Sequence, residues 1–214
     1  MNIGILVLFR ISDFDIRIFD VHTKIACSEE RCRMERSAFI TPFDGHFPKI
    51  AQSAYVDISA RLIGRVSISD EASIWPGAVL RADEEEILIG AGSAVLDLSL
   101  LEAPKGHRIV VEGALISHHV CLHGAEVKAG ALVGIGAIVL DGAVVEEGAI
   151  VGAGALVPAG ARVPAGMLVL GQPAKPAREV KAEEKKNIYA QLADLQNKAR
   201  MYRNAGEGSA GFRK

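Results

Sequence analysis

Aromatic residues are scarce, at 5% of the 214 residues and with a single Trp, so no core of stacked large rings can form. Cysteine is nearly absent. Cys27, Cys32 and Cys121 are odd in number and include no CxxC pair, which excludes a disulfide framework or a cysteine zinc cluster and points to a reducing, cytoplasmic setting. No continuous apolar stretch is long enough for a membrane span. The apolar start from Met1 to Phe9 is cut off by Arg10, Asp13 and Asp15, and no basic leader or small-residue cleavage signal accompanies it. A secretory signal is therefore not expected, and the acids argue against a transit peptide. Charge of one sign is also missing. The net value of −2 provides no basic face for nucleic acid.

What the chain has is glycine, 22 residues of it, and an aliphatic residue every sixth position. Val127, Val133, Val139, Val145, Val151, Val157, Val163 and Val169 follow one another without a slip. The same period runs through Val56, Leu62, Ile68, Ile74 and Leu80, resumes at Ile89, Val95 and Leu101, and again at Val110, Ile116 and Leu122. A helix repeats near 3.6 and a strand at 2, so a period of six belongs to neither alone. It fits a coil with three flat faces, one hexad per face, its rungs stacked at roughly 4.8 Å with the aliphatic residue inward. The expected fold is all-β: a left-handed parallel β-helix of hexapeptide repeats followed by an α-helix. Extra residues after the hexads at Leu80 and Leu101, and one missing after Leu122, fall at a single corner if each of these hexads closes a turn.

Four segments follow. Residues 1–33 carry no hexad and read as an extension, with Met34 a candidate biological start that intact-mass measurement of native protein would test. The coil is expected over 34–178, and two prolines in Gly171–Pro176 stop it. A packing helix is expected over 179–204, since Ile188, Leu192, Leu195, Ala199 and Tyr202 form one apolar stripe, and a loose tail over 205–214.

The phasing also places polar residues. Arg81, Glu102 and His123 each take the second place of a third hexad and form a column over three rungs. Asp97 and His118 form another column on the adjoining face, and His119 is expected to point elsewhere. Glu102 and His123, one rung apart at roughly 5 Å, suit two ligands of one metal ion. His118, around the corner, could reach such a pair only on another subunit. The same spacing also permits a plain Arg81–Glu102 ion pair and an Asp97–His118 hydrogen bond with no metal. Glu84, Glu85 and Glu86 are either a solvated turn or a proton relay.

Three segments, Ile74 to Asp83, Ser117 to Gly124 and Leu170 to Lys175, resemble those of the γ-class carbonic anhydrase family, and the likeness extends over roughly Phe47 to Tyr202. The resemblance implies a homotrimer of left-handed β-helices with zinc, or iron, held by three histidines between subunits. It implies that His118 and His123 are two of these ligands, and it puts Glu102 where the family has its third histidine. Arg81 and Asp83 match the family's Arg-x-Asp pair, and Asp97 matches the aspartate of its Asn-x-Gln-Asp motif, so these three are implied catalytic-site residues. Leu96 and Ala94 stand in place of that motif's Gln and Asn. The implied reaction is attack of metal-bound hydroxide on CO2 to give bicarbonate. A His2Glu set is an ordinary catalytic zinc site, but a carboxylate makes bound water less acidic than an imidazole does. Two other functions fit the same residues: a catalytically degenerate scaffold, and a hexapeptide acyltransferase with His119 or His123 as general base.

Overall fold

The hexads of the sequence become rungs of a left-handed parallel β-helix. A computed structural model describes residues 40–208, with side chains to residue 205. The expected 1–33 extension, Met34, Cys27 and Cys32 lie outside the described residues. Each regular hexad makes a two-residue strand, such as Leu132–Val133, Ile138–Val139 and Val144–Val145. Each pairs in parallel with the strand one turn later, so Val133 stacks on Val151 and Val139 on Val157. Val127, Val133, Val139, Val145 and Val151 are wholly buried, and so are the corner residues Ala131, Ala137 and Ala143. Burying such a Val is worth about 1.5–3 kcal/mol, yet its contacts come from the rungs above and below, so no single rung is stable alone.

The inward columns follow the three expected faces, but the first and third faces join into one sheet. Arg61–Ile68 and Val79–Ile89 run unbroken around the corner between them, while the second face remains a separate sheet. One position departs from the hexad reading. Val110 is not the inward residue of its rung; Val111 is, stacked between Ile89 and Val127. The inserted residues 103–108 leave the run Ile109–Val111, all buried, and pairing of Ile87 with Ile109 decides which of the three face the core. The acidic run lies on the strand Val79–Ile89, and each of its carboxylates has a partner. Glu84 accepts a hydrogen bond from the Lys105 amide (2.7 Å), Glu85 one from the Gly106 amide (3.0 Å), and Glu86 pairs with Arg108 (3.4 Å). The three carboxylates stitch one inserted corner to the next.

The coil ends by reversing. Lys175–Glu179 pairs antiparallel with Met167–Leu170, because that last strand still presents an unpaired edge. The helix therefore begins later than the expected residue 179, as α1 over Ala182–Gly208. It runs back along the second face, burying Ile188, Leu192 and Ala199 against Trp75, Leu96, Leu115 and Ile150. Tyr189 sits over Gly130, Gln196 reaches Gly92, Arg200 pairs with Glu71 (3.0 Å), and Arg203 donates to the Ser53 carbonyl. One helical turn rises about 5.4 Å, close to the rung spacing of roughly 4.8 Å, so successive turns of α1 meet successive rungs. No helix among the described residues is long and apolar enough to cross a membrane.

Glu184 closes the start of α1. It accepts from the Lys181 amide (2.8 Å) and takes both Arg178 nitrogens (2.8 Å each). The Arg178 bonds, then the Lys181 amide, hold its carboxyl at about 2, below the ordinary 4.5. Because the folded value is depressed, the stabilisation is complete above pH 4.5 and is lost as pH falls toward about 2. Protection of the Lys181 to Lys185 amides, taken as exchange relative to the intrinsic rate at each pH, is expected to fall over that window, and Glu184→Gln should abolish that fall.

Candidate metal centre on the outer face of the coil

The third face carries Arg81, Glu102 and His123 on successive rungs, in register with one another as Val79–Ile89, Leu100–Glu102 and Cys121–His123 pair. Arg81 forms an ion pair with Glu102 and lies 3.6 Å from Asp83. His123 Nε2 is 3.9 Å from the same Glu102 oxygen. Its other ring nitrogen, Nδ1, is bonded to Asp141. Asp141 was not among the sequence candidates. Strand register sets Leu140 beside His123, because the turn between Leu122 and Val139 is one residue short, but Asp141 lies a regular 18 residues after His123 and its side chain reaches back. That regular spacing was the available signal.

On the second face His118 Nδ1 lies 3.0 Å from an Asp97 carboxylate oxygen. The corner between them is held by Ser99, whose buried hydroxyl donates to the Ser117 carbonyl (2.7 Å) and accepts from the Val120 amide (3.2 Å). His119 and Leu98 take left-handed backbone at this corner, with φ of 57° and 59°, where the neighbouring rungs use Gly77 and Gly136. A non-glycine residue there is uncommon, though histidine is among those that tolerate it. The turn carries His119 away from His118, as its sequence position suggested.

In both histidines Nδ1 is the nitrogen set against a carboxylate, and His123 Nε2 is turned to Glu102. This is the arrangement of metal-binding histidines, whose second nitrogen is oriented by a hydrogen bond. Glu102 and His123 lie on one face and His118 on the next. Among the described residues of one chain, no three His, Cys, Asp or Glu side chains converge to hold an ion. Cys121, beside the column, has its thiol pushed up by burial and then by the Glu102 charge. Around the column the face is apolar: Leu100 is exposed, and Cys121, Ile138 and Leu140 are partly so.

Asp141→Asn is expected to weaken metal retention by about 10–100-fold, measured by chelator competition, with little change in the melting of metal-free protein. Unchanged retention would show that Asp141 does not orient a ligand.

The stacked hexads, the returning helix and the outward histidines define a hexapeptide-repeat β-helix protein with an incomplete polar centre on its surface. No family model matches the chain. It is 40% identical over 146 residues to a carbonic anhydrase of Geobacillus kaustophilus, a match covering 68% of this chain and 80% of that protein. It is 45% identical over 165 residues to the Bacillus subtilis protein YtoA, described as an uncharacterised transferase, over 77% of this chain and 96% of YtoA. The crystal structure of a Bacillus cereus protein provisionally assigned as an acetyltransferase superposes with a TM-score of 0.76 at 35% identity, over 78% of this chain and 97% of the other. The chain belongs to the γ-carbonic-anhydrase-like family of hexapeptide-repeat proteins.

Proposed function

We propose that the chain hydrates CO2 reversibly to bicarbonate, as a homotrimer whose zinc or iron is held by Glu102 and His123 of one copy and His118 of the next. The carrying observation is the shared geometry of the two histidines, each with Nδ1 against a carboxylate, together with His123 Nε2 facing Glu102 across 3.9 Å. The donor set fits the ion. Two imidazoles and a carboxylate are an ordinary catalytic zinc set, and a Glu102–His123 separation of 3.9 Å leaves room for bonds of about 2 Å to each. The apolar surface around the column supports a covering subunit. When bound, the ion would supply Lewis acidity and lower the pKa of water.

The protein's own residues do the rest. Asp97 and Asp141 fix the tautomer and orientation of His118 and His123. Arg81, set between Asp83 and Glu102, holds the Glu102 carboxylate in place and offsets part of its charge. Glu102 donates more charge to an ion than the family histidine would, so Glu102→His is expected to raise both metal retention and the stopped-flow rate of CO2 hydration. No rise in either contradicts this reading. A stable trimer with neither metal nor activity would instead indicate a scaffolding role, with the Arg81–Glu102 and Asp97–His118 pairs serving the interface alone.

One observation favours a second reading. His123 with Asp141 behind it is the arrangement of a general base, with Nε2 positioned to take a proton from an acceptor hydroxyl or amine during acyl transfer. The transferase names among the relatives point the same way. Saturable coenzyme A binding at low micromolar concentration, insensitive to chelators, would support it over hydration.

A further inference from the structure

One oxygen of Glu102 is claimed twice. Its Oε1 accepts from Arg81 Nη2, and the same Oε1 faces His123 Nε2 across 3.9 Å. A second carboxylate lies within reach of Arg81: Asp83 Oδ2 is 3.6 Å from Arg81 Nε. Arg81 and Asp83 stand two residues apart on the strand Val79–Ile89, so both side chains leave the same outer side of the coil. The Arg81 side chain is 44% exposed, which leaves it room to turn. Its guanidinium therefore has two anchors on one surface. One is a proposed ligand and the other is not.

Two positive charges on one carboxylate oxygen repel at close range. A guanidinium keeps its proton at any ordinary pH, so Arg81 cannot shed its charge to make way; it has to move. Glu102 can donate Oε1 to an ion only after Arg81 has left it. Asp83 is placed to receive the guanidinium and to match its charge. The conflict is particular to Glu102, because a neutral imidazole at that position would offer Arg81 no carboxylate.

We propose that the Arg81–Glu102 pair is an autoinhibitory contact: Arg81 blocks the ligand oxygen of Glu102, and its transfer to Asp83 opens the site to a divalent cation. This rests on the metal reading above and adds to it a control of occupancy. Arg81 holds Glu102 in the closed arrangement and weakens the site while it does so. Asp83 strengthens the site without touching the ion.

Two variants have opposite expected signs. Chelator-treated full-length protein would be titrated with zinc against a chromophoric chelator. Arg81→Gln removes the blocking charge and is expected to bind zinc about tenfold more tightly. Asp83→Asn takes away the alternative anchor, keeps Arg81 on Glu102, and is expected to bind zinc about fivefold more weakly. The double variant should match Arg81→Gln alone, since Asp83 acts only through Arg81. Sedimentation and melting in chelator check that association and fold are parental. A plain positioning role for Arg81 gives the reverse pattern, weaker zinc in Arg81→Gln and undiminished zinc in Asp83→Asn, and either result overturns the proposal. Should Arg81→Gln not assemble, Asp83→Asn decides alone. If the parent binds zinc and every variant binds it equally, this inference falls while the metal reading stands. Zinc binding by none of the four proteins removes both.

Discussion

His123→Ala is expected to remove metal retention and CO2 hydration together. His123 would supply a direct bond to the ion, so its loss should exceed the roughly 10–100-fold penalty typical of an orienting partner. The structure supplies an internal control. His119 lies four residues earlier on a left-handed corner, exposed and turned from the column, and His119→Ala is expected to leave retention and rate near the parental values. Metal content by elemental analysis and stopped-flow hydration are the two readouts. If both variants keep metal and rate, the column is a structural ion-pair network and the scaffolding role stands. Added imidazole should partly restore His123→Ala if the loss is of a ligand rather than of the fold.

A second large effect is expected in the core. Leu101 is wholly buried, stacked between Leu80 and Leu122 on the rungs either side. Leu101→Ala should cost about 2–5 kcal/mol, because the neighbouring rungs are hydrogen-bonded on both sides and cannot collapse into the space. Leu100, the adjacent residue, points outward and is 38% exposed. Leu100→Ser should barely affect the fold of one chain yet weaken association of copies, since it removes apolar surface from the proposed interface. Urea unfolding at fixed chain concentration measures the first, and sedimentation velocity the second. Equal effects of both substitutions on unfolding would mean that the inward and outward assignments of this strand are wrong.

Several features of the site could be read before any coordinates. An aliphatic residue at every sixth place puts residues one turn apart on one column, which is why Arg81, Glu102 and His123 could be aligned from spacing. It also put His118 around a corner from them. Where the period is interrupted, spacing loses this power. Val110 was read as inward because Ile109, Val110 and Val111 are all aliphatic; only pairing with Ile87 to Ile89 distinguishes them. Asp141 was missed because the shortened turn aligns Leu140 with His123, while a side chain can reach across such an offset. Glu84 to Glu86 looked like a solvated run because their partners are backbone amides and an arginine of the next inserted corner, 21 and 22 residues away.

The six-residue period by itself determined the left-handed β-helix, its inward aliphatic columns and the placing of Glu102 with His123, because only one kind of coil buries every sixth side chain. Tertiary structure alone decided the rest. It set which aliphatic residue turns inward beside an insertion and where the reversing chain yields to α1. It also decided that Asp141 is the carboxylate His123 holds. Those outcomes depend on the reach of side chains and unpaired strand edges across turns, distances that a repeat in sequence does not encode.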